Sequence, residues 1–197
     1  MCVLAVGSPL RGDDAAGLLV ARHLRELLDG AQSPPASGGT LKPAVGLGVS
    51  QDHPLTGKNP LEGATHDHDP RDHEPAQITQ HNVRGIPVTI ILGETAPENF
   101  TGEIKRLAPS HVVLVDAADF GRAPGEIDLL DPADADNPSM STHALPVRVM
   151  IDYLRRFIDC RFLILGVQPA VRGFGKPVTP AVAAAAEYLA RDLFEAL

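Results

Sequence analysis

The 197-residue sequence lacks the features that mark export, membrane insertion and nucleic-acid binding. No apolar run approaches the roughly 18 residues that a membrane span needs, and the N-terminus shows no signal-peptide pattern. The formal net charge of -8 argues against a partner bound through its phosphates, because nucleic-acid binders usually present a basic face. We therefore expect a cytoplasmic protein that enters no membrane and binds no nucleic acid.

Cysteine pairs and local catalytic signatures are also missing. Cys2 and Cys160 are too few for a disulfide framework, and we expect both to be buried thiols in a reducing compartment. The sequence contains no GxSxG nucleophile elbow, no phosphate-binding GxxxxGKS/T, no GxGxxG after the first strand, and no HExxH or CxxC pattern. Any active site must therefore be assembled from residues that are far apart in the sequence.

What the sequence does contain is an alternation of strand and helix patterns. Apolar runs predict strands in CVLAVGSPL, IPVTIILGE, HVVLVDAAD, GEIDLLDP (at a sheet edge) and CRFLILGVQP (buried). Helical spacing predicts helices from about Ala15 to Asp29 (ended by Gly30), from Pro97, after Pro146, and from Pro180 with Thr179 as cap. This order indicates an α/β fold with a mostly parallel sheet covered on both faces, in which ligands bind beyond the carboxyl ends of the strands.

One long segment breaks this pattern. From about residue 31 to residue 85 the sequence has frequent proline and glycine, no aromatic residue and no sustained periodicity. We expect a Pro/Gly/His-rich, disordered insertion within a single domain of residues 1–197.

Three aspartates near predicted strand ends and one loop histidine are the candidates for chemistry. Asp13 and Asp14 follow the first strand; a helix cap explains one of them, and we assign the cap to Asp13. Asp116 ends a buried strand, where a carboxylate needs a partner or a metal to offset desolvation, whereas Asp119 fits a turn. His143 lies in a loop before a helix, and a solvated surface histidine is the alternative interpretation there.

Strand-end placement should bring Asp14 and Asp116 to one edge of the sheet. With His143 they would supply two oxygens and one imidazole, a three-ligand set for nickel, zinc or a similar divalent ion. Such a metal could polarise a carbonyl or lower the pKa of bound water to about 7. The spacing alone does not establish the site.

The ordered set of motifs resembles the hydrogenase maturation proteases. VLAVGSPLRGDDAAG is similar to the family signature GN-x-x-x-x-DD-G-x-G, and ETAPENFTGEI, HVVLVDAADFGRAPGEIDLLDP, MSTHALP and LGVQPAVRGFGKPVT follow in the family's order. The similarity covers residues 1–30 and 86–197 and is closest to the branch that processes the formate-hydrogenlyase-type (hydrogenase 3) large subunit. The chain departs from the pattern at Ser8, where the family has asparagine, at Ala15, where it has glycine, and in the long insertion.

The resemblance implies a three-layer α/β/α sandwich around a mixed, mainly parallel sheet, of the phosphorylase/hydrolase-like kind. It also implies a monomeric endopeptidase, aspartic-type or metal-dependent, that removes the C-terminal extension of a [NiFe] hydrogenase large-subunit precursor after nickel insertion. The family's ligands fall on Asp14, Asp116 and His143. By the resemblance, these residues recognise nickel carried by the precursor and hold no permanent cofactor.

Two other functions stay open at this point. One is a nickel-binding maturation chaperone without protease activity, and the other is a peptidyl-tRNA hydrolase-like hydrolase, which the acidic balance disfavours. In the predicted insertion, histidines beside aspartates could gather nickel or zinc, although a polar linker is the preferred interpretation. These histidines are His66, His68 and His73, with His53 and His81 nearby. Unchanged processing at limiting nickel after deletion of residues 40–80 would exclude the metal-gathering role.

Overall fold

The computed structural model describes residues 1–32, 77–131 and 144–197, which contain one six-stranded sheet in the order β2-β3-β1-β4-β6-β5. The strands are β1 (Cys2–Val6), β2 (Ile78–Val83), β3 (Ile86–Glu94), β4 (His111–Ala117), β5 (Ile127–Leu130) and β6 (Arg161–Val167). β1, β3, β4 and β6 are parallel, whereas β2 and β5 form antiparallel edges. The predicted mixed, mainly parallel sheet is therefore confirmed, as is the edge position of the GEIDLLDP strand.

Helices cover both faces of this sheet. They are α1 (Ala16–Gln32) and α4 (Pro180–Glu195) on one face, and α2 (Thr101–Leu107) and α3 (Ala144–Leu154) on the other. In β1, Val3 and Ala5 join the core under α1 and α4, while Cys2, Leu4 and Val6 join the core under α3. Successive strand side chains point to opposite faces, so an entirely apolar strand supplies both cores. The predicted three-layer arrangement is confirmed. None of the helices in the described ranges could cross a bilayer.

The two cysteines are free thiols in different surroundings. Cys2 is fully buried in β1, and this burial raises the pKa of its thiol to about 12. Cys160, just before β6, is only partly buried, and burial raises its pKa as well. The expectation of buried thiols therefore holds for Cys2 and was too strong for Cys160, because the start of β6 is at the surface.

Two helix boundaries differ from the prediction. α1 runs past Gly30 and ends at Gln32, since an exposed glycine weakens a helix by about 1 kcal/mol relative to alanine without ending it. α3 begins at Ala144, two residues before Pro146, because a proline in the first helical turn lacks only an N–H that has no partner there.

The insertion was predicted with the wrong limits. Residues 78–83 form β2, and only residues 33–76 of the predicted insertion lie outside the described residues. β2 is joined to β3 by a two-residue turn in which Arg84 (φ 50°) and Gly85 (φ 86°) both have positive φ, as a type I′ hairpin requires. The N–H of Gly85 donates to Oδ1 of Asn82 at 3.0 Å. Polar side chains on a half-exposed edge strand hid it from a search for apolar runs.

β6 was predicted to be a buried strand, but its first half is exposed. Arg161 and Leu163 are both at the surface. β5 pairs with β6 only from Ile164 to Val167, so the start of β6 has a strand neighbour on the β4 side alone among the described residues. The short edge strand therefore limits the burial of β6.

Candidate functional site

The turn after β1 brings the main chain very close to Asp14. Gly7 has a φ of 133°, and a Cβ at this position would lie 1.8 Å from the carbonyl oxygen of Asp14, so only glycine fits. The N–H of Gly7 donates to the carbonyl of Glu94 at 2.9 Å, which ties the turn to β3. A 3-10 helix, Gly12–Ala15, follows and carries Asp13 and Asp14, both of which are buried.

A second glycine sets α1 against the ends of β1 and β4. A Cβ on Gly17 would lie 2.2 Å from the carbonyl oxygen of Val115 and 2.4 Å from that of Val6, so the helix backbone packs directly on both strands. Val115 immediately precedes Asp116, and Gly17 follows Asp14 by three residues. Asp14 and Asp116 therefore lie at the same edge of the sheet, beyond or at the carboxyl ends of its parallel strands.

Both carboxylates are almost completely buried, and main-chain donors stabilise them. The N–H of Ser8 donates to Oδ2 of Asp14 at 3.2 Å, and the N–H of Ala117 donates to Oδ1 of Asp116 at 2.8 Å. The bond to Asp14 comes from the main chain of Ser8 and is independent of the replaced asparagine side chain. Ala15 is buried without a positive φ, so glycine is not required there. Neither departure disrupts the turn that carries Asp14.

His143, the third predicted ligand, lies outside the described residues, directly before the start of α3 at Ala144. In the described ranges, no group of three histidine, cysteine, aspartate or glutamate side chains is arranged to hold a metal ion. The structure thus brings Asp14 and Asp116 to one edge, and the complete three-ligand set stays a prediction.

Asp13 does not cap its own helix, contrary to the prediction. The cap position is Arg11, without a side-chain cap bond, and the buried Asp13 carboxylate instead binds the loop between β6 and α4 (residues 168–179, the β6–α4 loop). Its Oδ2 accepts from the N–H of Ala170 (2.8 Å) and Val171 (2.9 Å). Thr179 donates its N–H to Oδ1 (2.6 Å) and its hydroxyl to Oδ2 (3.0 Å). Thr179 occupies the predicted cap position of α4, but its hydroxyl binds Asp13 and makes no side-chain cap bond to the helix.

Gln168 is a buried residue for which the sequence suggested no role. Its Oε1 accepts from the N–H of Phe120 (2.9 Å) and Arg122 (3.2 Å), and its Nε2 donates to Oδ1 of Asp119 (3.0 Å). Arg172 adds a contact to Oδ2 of Asp119 at 3.1 Å. These bonds join the loop after β4 to the β6–α4 loop. The sequence did carry one sign of this role, because Gln168 is an amide side chain that directly follows the apolar run of β6.

Asp119 stabilises the predicted turn and also contacts the β6–α4 loop through Gln168 and Arg172. Its Oδ1 accepts from the N–H of Gly121 at 3.3 Å, as in a side-chain-stabilised turn. The pKa of Asp119 is held below its usual value. The largest cause is the hydrogen bond from Gln168, followed by that from the N–H of Gly121, and the nearby Arg172 guanidinium adds to them. Asp119 therefore links two strand-end loops near the candidate site.

His81, grouped with the histidines of the predicted insertion, belongs to the fold. It lies in β2 with its ring largely buried, Nε2 is 3.2 Å from Oγ1 of Thr79, and Nδ1 is 3.4 Å from Oδ1 of Asp29 in α1. Assigning it to a metal-gathering segment was wrong, because β2 extends into the predicted insertion. His53, His66, His68 and His73 lie outside the described residues.

Residues 76–195 match the sequence model of a family described as hydrogenase maturation protease. The chain belongs to this family. The matched range includes Asp116 and His143, whereas Asp13 and Asp14 precede it. The family inferred from the motifs is thus confirmed.

Curated hydrogenase maturation proteases show the same relationship. The chain is 40% identical over 99 residues to the hydrogenase 3 maturation protease of Escherichia coli K12, a match covering 50% of this chain and 63% of the relative. It is 32% identical over 106 residues to a putative hydrogenase maturation protease of Methanocaldococcus jannaschii, covering 54% and 62%. The matched segments therefore span less than two thirds of these relatives.

Solved structures of hydrogenase maturation proteases share the fold. The chain is 26% identical to the [NiFe] hydrogenase maturation protease HycI of Thermococcus kodakarensis KOD1, with a TM-score of 0.63 and coverage of 98% of this chain and 89% of that one. For the endopeptidase HycI of Escherichia coli the identity is 25%, the TM-score 0.60 and the coverage 98% and 88%. Both similarities cover nearly the whole chain, which is more than the segment of residues 76–195 matched by the family model.

Proposed function

We propose that this chain is an endopeptidase that removes the C-terminal extension of a [NiFe] hydrogenase large-subunit precursor after nickel has been inserted. The observation that carries the proposal is the pair of buried carboxylates, Asp14 and Asp116, in a chain of the hydrogenase maturation protease family. They lie at the edge of the sheet where α/β folds generally bind ligands. We take the enzyme to be a cytoplasmic monomer whose partner is the precursor polypeptide.

Asp14, Asp116 and His143 are the proposed site residues. Carboxylate oxygens and an imidazole suit nickel, so the trio can bind nickel that the precursor already carries, with the metal acting as part of the substrate. Burying two carboxylates costs free energy that an incoming cation would offset, which favours a loaded precursor over an empty one. Recognition of the metal would therefore make cleavage depend on completed nickel insertion.

The reaction is the hydrolysis of one peptide bond. The oxygen of water bonds to the carbonyl carbon, the C–N bond breaks, and the departing nitrogen receives a proton. A carboxylate of the pair can accept the proton of the attacking water, and the precursor's nickel can polarise the carbonyl. The proposed reaction is therefore aspartic-type, because a carboxylate accepts the proton of water, and metal-dependent, because the precursor's nickel polarises the carbonyl.

The test is cleavage of the cognate precursor by the full chain. We expect intact-mass spectrometry to show loss of a C-terminal peptide from nickel-loaded precursor and no loss from nickel-free precursor. Asp14→Asn, Asp116→Asn and His143→Ala should each lower kcat by roughly 10³-fold or more, because removing one member of a catalytic unit removes most of its effect.

Surface residues of the same types serve as controls. Asp152→Asn on α3 and His23→Ala on α1 change exposed or half-exposed side chains and should leave cleavage unchanged. Retained cleavage in any site variant would remove that residue from the essential set. Tight stoichiometric nickel binding without any cut of the cognate precursor would favour the chaperone instead.

A further inference from the structure

Two loops beside Asp14 are bonded into one ordered surface. The N–H of Gly175 donates to the carbonyl of Leu10 at 2.8 Å, and the N–H of Asp13 donates to the carbonyl of Val171 at 2.9 Å. Gly12, with a φ of 63°, lets the loops approach, since a Cβ there would lie 2.8 Å from the Val171 oxygen. The Asp13 carboxylate adds the bonds already described. A surface fixed in this way loses little conformational entropy when a partner binds.

This ordered surface exposes large apolar side chains. Leu10 is 60% exposed, Val171 39% and Phe174 80%. Phe174 has no ring or cation stacked on it among the described residues, whereas Lys105 lies 4.8 Å from the ring centroid of Tyr153 and 4.6 Å from that of Phe157. Exposed aromatic residues on pre-ordered loops are typical anchors of protein interfaces.

Two cationic side chains without an ion pair in the described part of the chain flank the exposed apolar side chains. Residues 8–12 and 169–179 contain Arg11, Arg172 and Lys176 and no aspartate or glutamate, in a chain with a formal net charge of -8. The nearest acidic residue in the sequence, Asp13, is buried and bonded to the loop. Arg172 is paired with Asp119, while Arg11 and Lys176 have no ion pair among the described residues. This local positive charge in an acidic protein complements an acidic partner.

We propose that Leu10, Val171 and Phe174, rimmed by Arg11 and Lys176, form the docking surface for the precursor segment next to the cut bond. The surface binds a segment that carries an apolar side chain close to an aspartate or glutamate. Asp13, which bonds directly to this surface, is adjacent in sequence to Asp14, so a docked segment lies beside the proposed site. This inference rests on the proposed function.

Steady-state cleavage of the nickel-loaded precursor tests the surface. Phe174→Ala should raise KM about tenfold or more with little change in kcat, as loss of an interface anchor does. Lys176→Glu should raise KM and weaken its dependence on salt. Tyr188→Ala, a 60% exposed aromatic on α4, and Arg156→Glu after α3 are matched controls that should leave KM unchanged. Far-UV circular dichroism checks that each variant is folded.

A peptide that spans the cut bond provides a readout independent of cleavage. Labelled peptide should bind the wild-type chain about tenfold more tightly than the same peptide with its acidic residues changed to amides, and Lys176→Glu should reduce this difference. Equal binding of the two peptides, or an unchanged KM in Phe174→Ala, overturns the docking proposal. A wild-type chain that binds the peptide selectively but cuts no precursor refutes only the proposed function.

Discussion

Asp13→Asn should destabilise the protein through one specific mismatch. The asparagine oxygen can take the Oδ2 position and keep the bonds from Ala170, Val171 and the Thr179 hydroxyl. Its NH₂ group then faces the Thr179 N–H, which now bonds to Oδ1 at 2.6 Å, so two donors oppose each other. Leaving that partly buried N–H unpaired costs about 1–3 kcal/mol, and the three retained bonds become neutral and weaker.

The expected loss in the free energy of unfolding is about 3 kcal/mol, to be compared with roughly 5–15 kcal/mol for a whole domain. The variant should therefore remain folded. Asp13→Ala, which leaves three main-chain N–H groups without their acceptor, should lose more. Thr179→Val removes only the hydroxyl bond and should cost about 1 kcal/mol.

Urea denaturation followed by circular dichroism measures these differences. Hydrogen exchange adds a local readout, since the amides of Ala170, Val171 and Thr179 should exchange faster in Asp13→Asn than in wild type. The reasoning would be refuted by an Asp13→Asn variant within about 0.5 kcal/mol of wild type, or by unchanged protection of those three amides.

Two further perturbations test the turn at Asp14 and the Asp119 linkage. Gly7→Ala should fail to fold or lose more than about 3 kcal/mol of unfolding free energy, because its Cβ would overlap the Asp14 carbonyl. Gly30→Ala has nothing within 4 Å of its Cβ and should gain up to about 1 kcal/mol of unfolding free energy, measured by thermal or urea denaturation. Equal stability of the two variants would contradict this. The folded-state pKa of Asp119 is lowered, so its stabilisation is present at neutral pH and is lost as pH falls below the unfolded value of about 3.9. Asp119→Asn should flatten the decline of the urea midpoint between pH 5 and 3, and an identical decline would exclude the linkage.

Features set by local pattern were predictable from the sequence. β4 and the Pro180 start of α4 follow from uninterrupted apolar residues and from helix-start chemistry, and the sheet class follows from their alternation. β2 was not predictable in this way, because its polar edge carries alternating buried and exposed residues that become recognisable only beside β3. The sequence placed Asp13 in a cap because the cap is local, whereas its partners lie more than 150 residues away.

Some side-chain roles at the site could be predicted from the sequence, and others depend on tertiary contacts that the sequence does not show. The positions of Asp14 and Asp116 at one edge follow from strand order, which general fold rules supply. Gln168 could not be assigned, since its hydrogen bonds join two loops whose proximity depends on the pairing of β4 with β6. The nickel and His143 came from the family resemblance, not from the residue spacing.

The contact between Asp29 and His81 bears on how freely the connection between α1 and β2 can vary in length. Asp29, in the last turn of α1, and His81, the fourth residue of β2, are 3.4 Å apart at their side chains. The 17 residues of α1 extend over about 25 Å away from the turn that carries Asp14. A connection between two elements that are packed together in this way can change length at a cost of roughly 0.6 kcal/mol for each doubling. Residues 34–75 can therefore be exchanged as a cassette that leaves both flanking elements whole, whereas a deletion of residues 40–80 would cut into β2.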